Sequence, residues 1–175
     1  MVRMTVNASA EEDRGKYLSF SIGKENFAVD ILGVREIIEF SEAVVTSVPL
    51  MPTAILGVMN LRGKAVPVVD LGARLTGNSA TISRRSCIVI TEASNDQFSM
   101  ELGLLVDSVR EVMEIHSNQL EPTPSFGEGI STEFISGMGR VGERFVMLLN
   151  IGRVVSMKDL MQLRGEHLSP EKGVA

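Results

Sequence analysis

The chain has 175 residues, 44% of them apolar and 22% charged, the balance of a chain that folds rather than one that stays disordered. Seventeen Lys and Arg against 22 Asp and Glu give a net charge of −5, and no run of basic residues forms the stripe that a nucleic-acid binder presents, which argues against nucleic acid as a partner. The single cysteine, Cys87, excludes an internal disulfide and a paired-cysteine zinc site, and no apolar stretch approaches the roughly 20 residues of a membrane span, so a cytoplasmic protein without membrane insertion is expected.

Residues 1–14 are polar, lack an apolar signal core and are expected to form a disordered tail. Leu18, Phe20 and Ile22 then alternate with Ser19 and Ser21, the period-two pattern of a half-buried strand. Residues 23–26 supply turn chemistry, and Phe27 and Val29 resume the alternation. The run 65–69 (AVPVV) predicts a core strand bounded by Gly63 and Asp70, with Pro67 arguing for an edge or bulge position because it has no N–H to donate. Residues 70–75 predict about one helical turn, and 76–83 (TGNSATIS) predict a polar, flexible connector. Residues 87–90, 102–106 and 145–149 read as further strands. Ser156 and Asp159 have the spacing of a helix cap, Met157, Leu160 and Met161 follow at helical spacing, and Gly165 is a natural stop; a C-terminal helix over about 156–164 is expected, then a disordered tail over 166–175.

The chain repeats itself. Residues 27–40 read FAVDILGVREIIEF and residues 102–115 read LGLLVDSVREVMEI. At an offset of 75, Val34-Arg35-Glu36 falls on Val109-Arg110-Glu111 and Glu39 on Glu114. At an offset of 80, Gly57 falls on Gly137, Val66 on Val146, and Val68-Val69-Asp70-Leu71-Gly72 on Leu148-Leu149-Asn150-Ile151-Gly152. Two copies of one strand-rich unit predict a mostly β fold of two small, closed or partly closed barrels, joined at the polar stretch 76–83.

Catalytic groups are sparse. His116 stands at the head of a loop and His167 in the polar tail, neither with a partner at metal-site spacing, and Cys87 sits in an apolar run as a small hydrophobe would. Residues 137–142 match GxGxxG but lead into a strand rather than a helix, so they predict a hairpin and not a dinucleotide site. No phosphate loop occurs, and neither an enzyme nor a cofactor is expected. In the strand from Val34 to Phe40, period two puts Val34, Glu36, Ile38 and Phe40 on one face and Arg35, Ile37 and Glu39 on the other. Both faces mix charge with apolar bulk, which fits either an edge strand with a bulge or an edge reserved for a partner.

The segment Gly57-Val58-Met59-Asn60-Leu61-Arg62-Gly63, followed by Val66-Pro67-Val68-Val69-Asp70-Leu71, resembles the signature of the CheW family, adaptors that couple bacterial chemoreceptors to the histidine kinase CheA. Residues 27–32 with Val34 and Glu36-Ile37, residues 103–107 with Val109 and Val112, and residues 122–126 and 131–137 match the family in order, from about Tyr17 to Leu163. The resemblance implies one CheW-like domain over about 15–165, made of two five-stranded SH3-like barrels (about 15–76 and 84–152) with a groove between them. It implies non-catalytic coupling of the cytoplasmic tip of methyl-accepting chemoreceptors to the CheW-like regulatory domain of CheA. It assigns Val34, Glu36, Arg62, Gly103 and Val112 to receptor binding and Ile31, Leu56, Gly57 and Phe126 to kinase binding. Leu56 stands where many members carry a basic residue. Coupling in a twitching-motility or other non-flagellar sensory array is an alternative within the class; a small-ligand-binding β-barrel is a third, disfavoured by two histidines and one tyrosine.

Overall fold

The computed structural model of the protein describes residues 14–50, 54–94, 99–123 and 132–155. The first half contains β1 (Arg14–Ile22), β2 (Glu25–Asp30), β3 (Val34–Glu39), β4 (Val45–Thr46), β5 (Ile55–Leu61), β6 (Lys64–Asp70) and the short helix α1 (Leu71–Thr76). The second half contains β7 (Cys87–Ser94), β8 (Ser99–Val106), β9 (Ser108–His116), β10 (Leu120–Glu121), β11 (Ile135–Val141), β12 (Arg144–Leu149) and α2 (Ile151–Val154). Three 3-10 turns, Ile31–Gly33, Ser117–Gln119 and Thr132–Phe134, bridge successive strands. The predicted strands all coincide with observed ones, the one read from Val34 to Phe40 ending at Glu39. The tail expected over 1–14 gives way to β1 at Arg14, which is paired with His116. Residues 156–164 and 166–175 lie outside the described residues.

The strands make two sheets. Sheet A has the order β10-β11-β12-β2-β1-β9 and sheet B the order β3-β7-β8-β6-β5-β4. Repeat equivalents hold equivalent places, and the registers agree: Leu148 lies beside Ala28 in the parallel pair β12–β2, as Val68 lies beside Gly103 in β6–β8. The triplets 34–36 and 109–111 occupy like elements, the edge strands β3 and β9, each with a register shift within or beside the triplet.

Two expectations change. The barrels were expected to be consecutive, over 15–76 and 84–152, but each copy's first hairpin sits in the other copy's sheet: β1–β2 lies between β9 and β12, and β7–β8 between β3 and β6. Central strands need a neighbour on each side and apolar burial on both faces. Residues 102–106 of β8 are all buried, as are Phe27, Ala28 and Val29 of β2, so these strands occupy sheet centres. Each sheet also has six strands rather than five, and its hydrogen-bonded order stays open, so the sheets are SH3-like but not closed barrels.

Sheet alternation divides the core in three. Leu18, Phe20 and Ile22 of β1 meet Leu102, Leu104 and Val106 of β8 and Phe134, Met138 and Leu149 in the largest cluster, between the sheets. Met59, Val66, Val68, Ile88, Ile90 and Leu105 fill the inside of sheet B, and Ala28, Ile115, Val146 and Leu148 the inside of sheet A. Pro67 sits in an internal strand, yet the β6–β8 pairing begins only at Val68, so its missing N–H is never needed on that side.

The connector 76–83 is pinned rather than loose. Asp70 caps α1 by accepting from the N–H of Ala73 at 3.1 Å, and the same carboxylate accepts from the N–H of Ala80 at 3.1 Å. Asp107 accepts from Gly23 N–H at 2.8 Å and Thr81 N–H at 3.3 Å, tying the β1–β2 turn to the connector. Gly72 lets the connector approach, since a Cβ there would lie 2.9 Å from backbone atoms of Asn78 and Ala80. Polar composition identified a connector but not that two carboxylates would take up its amides.

Candidate functional site

Strand β5 carries two of the expected sets, one at each end. After its last residue the chain reverses through Arg62-Gly63, both with positive φ (51° and 85°), the geometry of a type I′ hairpin turn. The Asn60 carboxamide oxygen accepts from Gly63 N–H at 2.8 Å and helps fix the turn. A non-glycine residue in this region costs on the order of 1 kcal/mol, so the turn holds Arg62 at some expense of stability. Its guanidinium donates to the Glu36 carboxylate at 2.7 Å across the sheet B surface. Arg62 is thus both a turn residue and one half of an internal ion pair.

The expected receptor set is divided between the sheets, Val34, Glu36, Arg62 and Gly103 in or beside sheet B and Val112 on sheet A. The expected sharing of one face by Val34 and Glu36 fails: the register shift between them turns Val34 to the opposite face, where it is half-buried against the core between the sheets. Gly103 is buried inside sheet B, where an added Cβ would lie 2.7 Å from Ile88 Cγ2 and 3.4 Å from Val68 Cγ2. Its role there is to let β8 pack. Val112 is exposed on β9, the edge of sheet A, at the repeat equivalent of exposed Ile37 on β3. In each edge strand an exposed apolar side chain and an acid share one face, Ile37 with Glu39 on β3 and Val112 with Glu114 on β9.

At the other end of β5, Leu56 is half-buried against the sheet B interior and lines a groove with Phe40, Val45, Ser79 and Ile82. Gly57 lies under β4; a Cβ there would sit 2.2 Å from the Thr46 carbonyl oxygen, a contact no backbone tolerates. Its absence of a side chain is a packing requirement. Ile31 belongs to the 3-10 turn after β2, where the Asp30 carboxylate accepts from Leu32 N–H at 2.9 Å, and it packs against the core between the sheets. Leu32, 68% exposed, is that turn's outward apolar group; sequence reasoning passed over it because an isolated turn has no period to mark it. Phe126 lies outside the described residues.

The chemical inventory stays thin. No group of three or more His, Cys, Asp or Glu side chains converges among the described residues. Cys87 is half-buried, its thiol donating to the Arg85 carbonyl; burial, with the nearby Glu39 carboxylate, pushes its pKa up despite a backbone hydrogen bond acting the other way. In the GxGxxG run, Gly137 and Gly139 lie within β11 and Gly142 (φ 65°) makes the turn into β12, as the hairpin reading requires. A Cβ on Gly139 would lie 2.8 Å from Ile115 Cδ1. No described helix is long and apolar enough to cross a membrane.

Comparison with known proteins agrees with this geometry. The family model described as CheW-like domain matches residues 16–159. The chemotaxis protein CheW of Klebsiella aerogenes is 31% identical over 157 residues, covering 89% of this chain and 91% of that one. The CheW protein of Treponema pallidum is 26% identical over 162 residues, covering 93% and 92%. The crystal structure of a scaffolding protein, TtCheW of Thermoanaerobacter tengcongensis, superposes with a TM-score of 0.72 at 31% identity, over 83% of this chain and 94% of that one. A chain that repeats one SH3-like unit and matches these proteins along most of its length belongs to the CheW-like family: it is a chemotaxis scaffold and, as a member of that family, not an enzyme.

Proposed function

We propose that the protein couples the cytoplasmic tip of methyl-accepting chemoreceptors to the histidine kinase CheA, recruited from the cytoplasm to membrane-bound receptor arrays and acting only through contacts. The supporting observation is the separation of the two surfaces along β5. Leu56 near the start of β5 and Arg62 in the turn just after it are six residues apart, roughly 20 Å at about 3.3 Å per residue. A scaffold must hold both partners at once, so their footprints have to be distinct, and a stiff strand keeps them so.

In this reading the Arg62–Glu36 turn faces the receptor hairpin. The groove of Leu56, Phe40 and Val45, with the Ile31–Leu32 turn, faces the kinase regulatory domain. Val34 and Gly103 support the first surface from within and Gly57 supports the second; Val112 belongs to the receptor set by resemblance, and Phe126, outside the described residues, to the kinase set. Signal transfer needs no chemistry: contacts that differ between the kinase-on and kinase-off arrangements shift the population between them. Weak contacts suffice, because receptors held in a membrane make each later binding event effectively intramolecular.

The test is a pair of titrations, against a receptor cytoplasmic fragment and against the CheA regulatory domain. Arg62→Glu is expected to weaken receptor binding and leave kinase binding, and Leu56→Asp to do the reverse. Loss of both partners in each variant, with the fold intact, contradicts the two-surface reading.

A further inference from the structure

The sheets cut across the chain. Residues 14–76 supply β1–β6 and α1, and residues 87–155 supply β7–β12 and α2. These two halves meet at four strand junctions, β1–β9 and β12–β2 in sheet A, β3–β7 and β6–β8 in sheet B. Without the second half β3 has no neighbour, and without the first half β9 has none. The largest core cluster mixes the halves as well, setting Leu18, Phe20 and Ile22 against Leu102, Leu104 and Val106. Neither half completes a sheet or a core by itself.

The connector 77–86 links the halves and belongs to no sheet. Gly77, Asn78, Ser79, Thr81 and Ile82 are exposed. Its path is held by side-chain acceptors: the Asp70 carboxylate takes the Ala80 N–H and the Asp107 carboxylate takes the Thr81 N–H. Beyond Ile82 the chain is fixed again, with Ser86 N–H donating to the Ser83 carbonyl at 3.1 Å and the Ser86 carbonyl accepting from Phe40 N–H at 3.0 Å. Residues 77–82 can therefore straighten without breaking a strand pair. Six residues span roughly 20 Å at about 3.3 Å each, enough to carry the chain from one molecule to a neighbour.

We propose that residues 77–82 are a hinge through which two molecules of this chain exchange halves, and that the Asp70 and Asp107 contacts hold the closed monomer. In the exchanged dimer the first half of each molecule completes both sheets with the second half of the other. The strand pairs and core contacts between halves are all re-formed, so a second copy of this chain fits by construction. The two states differ at the hinge, where exchange gives up the carboxylate contacts of the Ala80 and Thr81 amides. The Arg62–Glu36 pair survives, because both residues belong to the first half. Ser79, Ala80 and Ile82, which line the groove of Leu56 and Phe40, are drawn out of it. On the coupling function proposed above, exchange doubles the receptor-facing turn and reshapes the kinase-facing groove; the exchange itself does not rest on that reading.

Ser21 and Ser108 face each other across the β1–β9 junction with their hydroxyls 2.7 Å apart. In the variant Ser21→Cys/Ser108→Cys/Cys87→Ser, a disulfide there closes within one chain in the monomer and between two chains in the exchanged dimer. The test is to refold this variant from urea at low and at high protein concentration, oxidise it and run a denaturing gel without reductant. Covalent monomer is expected from dilute protein, with covalent dimer appearing from concentrated protein. Adding Ala80→Pro/Thr81→Pro removes both held N–H groups and favours extended chain. It should raise the dimer-to-monomer ratio about tenfold or more, the worth of one hydrogen bond to a charged acceptor. Should the proline variant fail to fold, the concentration series of its parent still decides. Covalent monomer alone at every concentration, with the native fold intact, overturns the proposal. An unchanged ratio in a folded proline variant overturns the role of the two carboxylates. A dimer on gel filtration that yields only covalent monomer, or covalent dimer from Ser21→Cys/Cys87→Ser alone, shows association through an outer surface and overturns the exchange.

Discussion

The Arg62–Glu36 pair separates a structural role from a recognition role. The guanidinium and carboxylate meet at 2.7 Å, but the Arg62 side chain is 72% exposed and that of Glu36 is 28% exposed. Solvent screening at that exposure limits the pair to about 0.2–1 kcal/mol. In a domain of this size 1 kcal/mol moves Tm by about 2–4 °C, so Arg62→Glu and Glu36→Arg should each lower Tm by only a few degrees. The swap Glu36→Arg/Arg62→Glu should restore most of that, because the pair re-forms with its polarity reversed. If Arg62 presents its charge to a partner, truncating or reversing it at a contact centre costs about 2 kcal/mol or more, roughly thirtyfold in affinity. The swap cannot restore this, since the partner then meets the wrong sign. The assay is a thermal melt of all four proteins beside a receptor-fragment titration. Recovery of both stability and affinity in the swapped protein would refute the reasoning and make Arg62 a purely structural residue.

Gly57→Ala should be far more disruptive than Gly103→Ala, because the first Cβ meets the Thr46 carbonyl on the backbone at 2.2 Å and the second meets an Ile88 methyl at 2.7 Å that can rotate away. Chemical denaturation should place Gly57→Ala at or above the upper end of the ~1–3 kcal/mol typical of overpacking, with Gly103→Ala nearer the bottom. Asp70→Ala removes the helix cap and the Ala80 anchor together and should cost about 2 kcal/mol or more, with amide exchange at Ala73 and Ala80 rising in step. Asp107→Ala should free Gly23 and Thr81 amides while leaving α1 intact. The thiol of Cys87 is held above its ordinary pKa by burial, so the neutral form is favoured in the fold. Its contribution to stability is complete below the unfolded thiol pKa and is lost as pH rises through the higher folded value. Thiol-labelling rate against pH should rise later for native protein than for unfolded chain; coincident curves contradict the burial argument.

The fold was legible where local pattern determines it. Alternation at Leu18, Phe20 and Ile22 announces a strand with one buried face, and the matching offsets around Val34-Arg35-Glu36 and Val68-Val69-Asp70 announce a repeated unit. The exchange of hairpins was not legible, because periodicity says which face of a strand is buried and not which strand lies beside it. The parallel neighbours Val68 and Gly103 are 35 residues apart in sequence, and Leu148 and Ala28 are 120 apart. The site divides in the same way. Arg62 was recognisable from its motif, but its ion pair with Glu36 is set by how β3 and the β5–β6 turn are placed across sheet B. Gly57 is legible as a position that tolerates no side chain, but the close approaches of Thr46 to Gly57 and of Ile88 to Gly103 depend on strand placement.

Coupling is tested most directly by recruitment. Receptor cytoplasmic fragments are arrayed on vesicles, and sedimentation measures how much CheA regulatory domain they carry down with and without this protein. The account predicts that the kinase domain sediments only when the protein is present, and that either Arg62→Glu or Leu56→Asp alone abolishes this. Equal sedimentation of the kinase domain in its absence, or full recruitment by both variants, contradicts the account.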